Sequence, residues 1–302
     1  AIEYHRKAEA IRLAKLGAGH PFVAITYSKL GATFESKGDH ALAIEYHRKA
    51  EASFLAKLGP DHPRLATLYD DLGTSMRSLG QYDEAIKVFE AAKAIRLAKL
   101  GPNHPDLATS HSNIGQTHLS KGHFTLALEE YSRVEEIISQ QLGPEHPRLG
   151  ALLDLIGSAH QSQALHDDAI EVFQRALTII EAKLGPDHPD MATSYSHMGL
   201  SLYAKGAFDQ AIDCHRRAEA IRLAKLGPNH PDLATTYSNL ASAFIAVRKY
   251  EQAAECNRKA TEIWSSRPST AQAAGTAPLR RPNFVDSPVR QTSEMLDFGY
   301  EL

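Results

Sequence analysis

Apolar positions recur at helical spacing in two alternating blocks. Between Leu65 and Leu79, the residues Ala66, Tyr69, Leu72, Gly73 and Met76 fall on one face. Between Tyr82 and Leu100, Ala85, Val88, Phe89, Ala92, Ile95 and Leu97 do the same. The pattern predicts a helix over each block. Gly80 lies between them, a residue that adopts the left-handed conformation that ends helices. After the second block comes Leu100-Gly101-Pro102-Asn103-His104-Pro105. Gly101 stops the helix, Pro102 blocks its continuation, and Pro105 suits the first turn of the next helix.

This loop returns every 42 residues without insertion or deletion. Its His-Pro pair stands at His20-Pro21, His62-Pro63, His104-Pro105, His146-Pro147, His188-Pro189 and His230-Pro231. A fixed period of this size marks a repeat architecture. All fifteen prolines lie in these loops or in the last 35 residues, so none interrupts a predicted helix. Small residues recur where paired helices should cross closely: Gly31 with Ala43, Gly73 with Ala85, Gly115 with Ala127, Gly157 with Ala169 and Gly199 with Ala211. In the sixth repeat the pair becomes Ala241 and Ala253. Tyr27, Tyr69, Tyr195 and Tyr237 are expected to fill the groove to the next repeat. The glycine between helices is lost at Gln163-Ala164-Leu165 and Val247-Arg248-Lys249, which predicts a less sharp turn at both.

The spacing of Tyr69, Leu72-Gly73, Met76, Ala85, Phe89 and Ala92 resembles the tetratricopeptide repeat, a helix–turn–helix unit usually 34 residues long. Eight extra residues lengthen the second helix and supply the loop. In this 42-residue form the repeats resemble those of kinesin light chains and of nephrocystin-like and nucleotide-binding sensor proteins. The resemblance implies an all-α fold, a right-handed superhelix of antiparallel helix pairs over residues 1–264. Residues 1–16 align with the second helix of a repeat and form a leading half repeat, which reads as the start of a fragment; six full repeats follow. Residues 265–302, rich in Ser, Pro, Ala and Thr, bury too little apolar surface to offset ordering entropy and are expected to be disordered. The apolar and acidic end Met295–Leu302 is a candidate linear docking motif.

Charge and composition narrow the function. With 33 basic and 36 acidic residues the net charge is −3, so no overall basic field points to nucleic acid. No run of 18 apolar residues points to a membrane span. Cys214 and Cys256 stand one period apart, about a helix diameter (~8–10 Å) in space, too far for an unstrained disulfide. They are expected as reduced thiols in a cytoplasmic protein. The loop histidines are spaced too widely to share a metal ion and should bond local backbone instead. His118 and His160 occupy equivalent positions, without a carboxylate or thiol cluster beside them. Acid–base pairs at i,i+4 (Glu3–Lys7, Glu45–Lys49, Glu129–Arg133, Glu171–Arg175, Asp213–Arg217, Glu255–Lys259) predict a solvated, self-neutralising face on the second helices. Phosphate loops and Gly-x-Ser-x-Gly are absent, and no Cys–His pair stands out. The expectation is a non-catalytic protein with no cofactor and no metal.

In tetratricopeptide stacks the first helices line a concave binding face. The resemblance places its exposed positions at Lys29, Asp70, Asp71, Arg77, Ser112, Asn113, Gln116, Asp154, Gln161, His197, Ser238 and Asn239. Kinesin light chain grooves hold extended peptides with asparagines and basic residues. Asn113 and Asn239 match the asparagine position; the basic positions are not reproduced. The resemblance thus implies a scaffold or adaptor for a protein or extended peptide, with Lys29, Asp71, Arg77, Asn113, Gln116, Gln161, His197 and Asn239 as groove residues. Its partner would be of the kinesin-heavy-chain or signalling type. The alternative is the sensor repeat domain of a larger signalling protein, such as a nucleotide-binding switch ATPase. The leading half repeat also offers a surface for self-association.

Overall fold

The structure, a computed structural model, describes residues 1–265. The tail from residue 266, with its Met295–Leu302 motif, lies outside the described residues. Thirteen helices and no strand are found among the described residues. They are α1 (Ile2–Leu16), then the pairs α2 (Pro21–Ser36) and α3 (His40–Leu58), α4 (Pro63–Ser78) and α5 (Tyr82–Leu100), and α6 (Pro105–Lys121) and α7 (Phe124–Leu142). The pairs α8 (Pro147–Ser162) and α9 (His166–Leu184), α10 (Pro189–Ala204) and α11 (Phe208–Leu226), and α12 (Pro231–Ala246) and α13 (Tyr250–Ser265) complete them. The described residues form two compact units, one over Ala1–Gln141 and one over the described residues from Leu142. Within the units, α2, α4, α8, α10 and α12 each pack on the second helix that follows, and α2, α4, α6, α10 and α12 each pack on the second helix that precedes.

The loop works through a histidine cap. Proline disfavours helical backbone in the residue before it, and each loop histidine is extended, as His62 is at φ −80°, ψ 132°. That is the conformation an N-cap residue needs. Its Nδ1 then accepts the backbone N–H two residues on: Phe22, Arg64, Asp106, Arg148, Asp190 or Asp232, at 3.2–3.3 Å. The preceding helix ends on a glycine such as Gly101, at φ 82° and ψ 170°. This region of backbone space is essentially restricted to glycine.

A ring over a glycine sets the crossing within a hairpin. A methyl group at Gly73 would lie 2.6 Å from the Phe89 ring. The same geometry sets Gly115 against Tyr131, Gly157 against Phe173, Gly31 against His47 and Gly199 against His215. The alanines partnering these glycines are buried throughout.

Three expectations need correction. Two of the tyrosines tie backward, Tyr69 to Glu51 and Tyr237 to Glu219, each on the second helix of the preceding repeat, whereas Tyr195 accepts from Arg217 on its own second helix. The turns without glycine are as sharp as the others, because Ala164 (φ 58°) and Arg248 (φ 59°) take the left-handed conformation themselves. The Leu165 and Lys249 N–H groups still bond the His160 and Phe244 carbonyls at 3.0 and 2.9 Å, as Gln81 bonds Met76 at 3.0 Å. The acid–base ladder forms only in part. Lys7, Lys49 and Lys259 pair as expected, whereas Arg133 pairs with Glu136 at 3.1 Å and Arg217 donates to Tyr195 Oη at 3.0 Å. Cys214 and Cys256 are free and buried, and burial pushes the Cys214 thiol up to about 11.

Left-handed backbone costs an L-residue about 1–2 kcal/mol. Ala164→Gly and Arg248→Gly should therefore each raise the thermal midpoint by about 2–4 °C, while Gly80→Ala lowers it; calorimetry of the three variants checks the sign.

The imidazoles of His47 and His215 are held neutral by burial, which depresses both to about 4. An unfolded histidine takes up its proton near pH 6.5. The stability that neutral His47 and His215 contribute is complete above pH 6.5 and is lost as pH falls toward 4. Phe89 and Phe173 occupy the same repeat position. Replacing His47→Phe or His215→Phe should thus widen the stability gap over the parent by up to about 1.4 kcal/mol per pH unit between 6.5 and 4.5. Urea midpoints measured across that range read it.

Candidate partner-binding site

Consecutive first helices touch along one side of each unit: α2 with α4, α4 with α6, α8 with α10 and α10 with α12. The residues expected to read a partner lie on these helices. Asn113 Nδ2 donates to Asp70 Oδ1 at 3.3 Å, across α6 and α4. Gln161 Nε2 donates to Ser201 Oγ at 3.1 Å and to the His197 carbonyl at 3.4 Å, across α8 and α10. The Ser194 hydroxyl donates to Asp154 Oδ2 at 2.8 Å across the same seam. Gln116 Nε2 donates to Ser112 Oγ at 3.2 Å on its own helix. The His197 ring lies 5.6 Å from that of Phe173.

These bonds correct the expected exposure. Arg77, Asn113, Gln116 and His197 are buried, as are Ser112 and Asp154. Neighbouring first helices lie close enough for side chains on their facing flanks to meet one another instead of solvent. Lys29 stays exposed, and Asp71, Gln161 and Asn239 are half-buried.

Burial shapes the charges on this side. It pushes the Glu35 carboxyl up to about 7, against the opposing pull of a Ser75 hydrogen bond and the Arg77 charge. It lowers the Arg77 guanidinium and depresses His197 to about 4, so that imidazole is neutral. At the third repeat, where Lys93 replaces the glutamate and His111 the tyrosine, His111 Nδ1 lies 2.6 Å from Glu130 Oε2. Burial raises Glu130, yet the His111 bond and the Lys93 charge outweigh it and hold the carboxyl below its ordinary value. No group of three or more potential metal ligands exists among the described residues.

Sequence reasoning missed a set of arginines between hairpins, Arg222 buried and Arg12 and Arg96 half-buried. Arg12 donates to Thr26 Oγ1 at 2.6 Å, Arg96 to Ser110 Oγ at 2.7 Å and Arg222 to Thr236 Oγ1 at 2.6 Å, each from a second helix to the next first helix. The signal was a shared spacing of 14 residues. Where the second helix carries Phe54 instead, the first helix carries Leu68, and both are buried. Arg96 also pairs with Asp70. Asp154, two periods after Asp70, has Ile180 where Asp70 has Arg96. Buried without that cation and facing Asp190, its carboxyl is raised well above the ordinary value, more than the Ser194 bond offsets.

Stacked helical hairpins with short uniform loops define a repeat protein whose sides, not a deep pocket, meet other molecules. The tetratricopeptide repeat model matches residues 1–56, 37–98, 64–140, 122–182, 150–224 and 190–266, and the chain belongs to the tetratricopeptide repeat family. Its fold is similar to that of the nearly identical repeats of a putative kinesin light chain from Podosopora anserina, at 22% identity, TM-score 0.57, covering 68% of this chain and 97% of that one. It is also similar to BtubC (BKLC) from P. vanneervenii, at 20% identity, TM-score 0.61, covering 82% and 94%. The apo form of RapI matches at 16% identity, TM-score 0.62, covering 88% and 90%. No curated relative matches the chain.

Asp70 and Asp154 should answer the same substitution differently. Asp70→Asn removes the charge facing Arg96 and should cost about 1.5–3 kcal/mol. Asp154→Asn replaces a carboxyl whose protonated form the fold favours. The parent should lose stability relative to Asp154→Asn as pH rises from about 4, the ordinary aspartate value, toward neutrality. Denaturant midpoints of both variants at pH 4.5 and 7.5 measure the contrast.

Proposed function

We propose that this protein is a non-catalytic interaction scaffold or adaptor that holds an extended peptide or partner domain on the faces that the first helices line within each unit. The observation that carries the reading is the division of polar groups there. Asn113, Gln116 and Asp154 are engaged in bonds within and between helices. Gln161, half-buried, is bonded between helices as well, while Lys29, Asp71 and Asn239 remain open to solvent in part or whole. An asparagine amide can bond both the N–H and the C=O of a peptide backbone, and Asn239 stands where kinesin light chain repeats carry theirs. In this reading Arg77 and His197 support the face from behind, and cargo selection of the kinesin-light-chain kind is its finer form. The free thiols of Cys214 and Cys256 agree with a cytoplasmic setting. No helix among the described residues is long and apolar enough to cross a membrane.

Selection of peptides from a display library on the full chain tests this reading. Recovered peptides should lose about tenfold in affinity, ~1.4 kcal/mol, on Asn239→Ala or Lys29→Ala by fluorescence anisotropy. Recovered peptides indifferent to both substitutions, or no peptide recovered at all, would move the function away from this face.

A further inference from the structure

The first and sixth repeats share two aromatic positions that no other repeat carries together. Tyr27 and Phe34 on α2 correspond to Tyr237 and Phe244 on α12. In the first repeat a third ring joins them. Tyr46 of α3 stacks on Phe34, with centroids 5.4 Å and planes 14° apart, and stands 6.2 Å from Tyr27. The Lys49 ammonium lies over the Tyr46 ring, 4.7 Å from its centroid. In the sixth repeat the residue at the place of Tyr46 is Cys256. A thiol does not fill the space of a phenol ring. A cleft of about 320 Å³ opens there, lined among others by Arg216 and Glu219 of α11, Leu240 and Phe244 of α12, and Cys256 and Lys259 of α13. That volume lies at the small end of ligand pockets, roughly 300–1,000 Å³.

Cations cover the two rings that Tyr46 would otherwise touch. The Arg216 guanidinium lies 5.5 Å from the Phe244 centroid, and the Lys259 ammonium lies 5.2 Å from that of Tyr237. Arg216 is exposed. Its counterpart in the second repeat, Arg48, pairs with Glu51 at 2.7 Å. Arg216 forms no such pair among the described residues, and Glu219 bonds Tyr237. A ring entering the cleft therefore meets Phe244 on one face and a cation on a flexible stem on the other. Both contacts favour an electron-rich ring.

We propose that this cleft is a binding site for a tyrosine side chain presented by a partner protein, seated on Phe244 as Tyr46 is seated on Phe34. The first repeat supplies the template for the occupant. The three residue types that hold the Tyr46 ring, phenylalanine, tyrosine and lysine, are all kept in the sixth repeat as Phe244, Tyr237 and Lys259. The Glu219 and Glu255 carboxylates on the rim offer acceptors for the phenol O–H. None of these residues belongs to the face proposed above, so the site stands independently of that reading.

The test uses the full chain, a capped Gly-Gly-Tyr-Gly-Gly peptide, its leucine counterpart and free tyrosine, read by chemical-shift titration. The tyrosine peptide should bind about fivefold tighter than the leucine peptide. Cys256→Tyr rebuilds the arrangement of the first repeat. It should raise the thermal midpoint and weaken the tyrosine peptide about tenfold or more. Arg216→Gln places at this exposed site the residue type of Gln174, its counterpart in the fifth repeat. It should weaken the tyrosine peptide about threefold, by loss of one cation over the ring, at an unchanged midpoint. Asn239→Ala should leave binding unchanged. No binding of the tyrosine peptide, equal binding of both peptides, or binding unmoved by Cys256→Tyr would overturn the proposal. A midpoint lowered by Cys256→Tyr would overturn it too, because the cleft would then not accept a ring. Free tyrosine bound more tightly than the peptide would overturn the partner assignment in favour of a small molecule.

Discussion

A ring lying on a glycine holds each of the first five hairpins together, and most of the structure follows from that contact. The Phe89 ring occupies the space that a Cβ at Gly73 would need. The two helices can then approach closely enough to bury Ala85 and Ala92 completely. Because the ring comes from one helix and the bare backbone from the other, neither helix forms the seam alone. The two helices of a hairpin therefore draw their stability from packing on each other more than from their separate propensities. The ring's identity matters less than its volume. Phenylalanine, tyrosine and histidine all serve, but histidine buries ring nitrogens for which His47 finds no partner.

Around this constant seam lies a variable polar layer. The step from a second helix to the next first helix is closed by arginine on a hydroxyl at Arg96 and Ser110 and by apolar packing at Phe54 and Leu68. Both solutions fill the same space, but only the first must satisfy a cation. Asp70 shares Arg96, so the carboxylate and the guanidinium stabilise each other. Asp154 keeps the carboxyl without the arginine and is left favouring its proton. The two units thus solve one packing problem with different electrostatics.

The sequence made the period, the helix bounds and the loop chemistry legible because each depends on local rules. Proline fixes the backbone of the residue before it, glycine ends the helix, and histidine caps the next one. The second helix of the second repeat was expected from Tyr82 to Leu100 and is found there. The two turns lacking glycine misled for the opposite reason: tertiary packing holds Ala164 and Arg248 in a conformation their own propensities oppose. The binding face was the least legible part. Whether Gln161 faces solvent or Ser201 is decided by a helix 40 residues away, and spacing within one helix carries no information about that. The arginine–hydroxyl spacing could have revealed part of the layer, since residues that pair across a repeat vary together from one repeat to the next.

The same comparison among repeats separates what the fold needs from what it tolerates. In the first five hairpins the positions that pack on the seam carry only rings and small residues. Flanks between first helices accept polar pairs that satisfy one another. Outer positions accept anything soluble, as Glu136 and Thr178 show. A leucine at such a position gains little from folding, because nearly half of it stays in water, as at Leu97. The run Ala94, Leu97 and Ala98 recurs on α11 at Ala220, Leu223 and Ala224, where Leu223 is also nearly half exposed, while Thr178 and Glu181 hold the equivalent places on α9. Scattered exposed leucines cost a fold little, so these outer positions are where the repeats are free to differ, whereas the seam and the flanks between first helices are not.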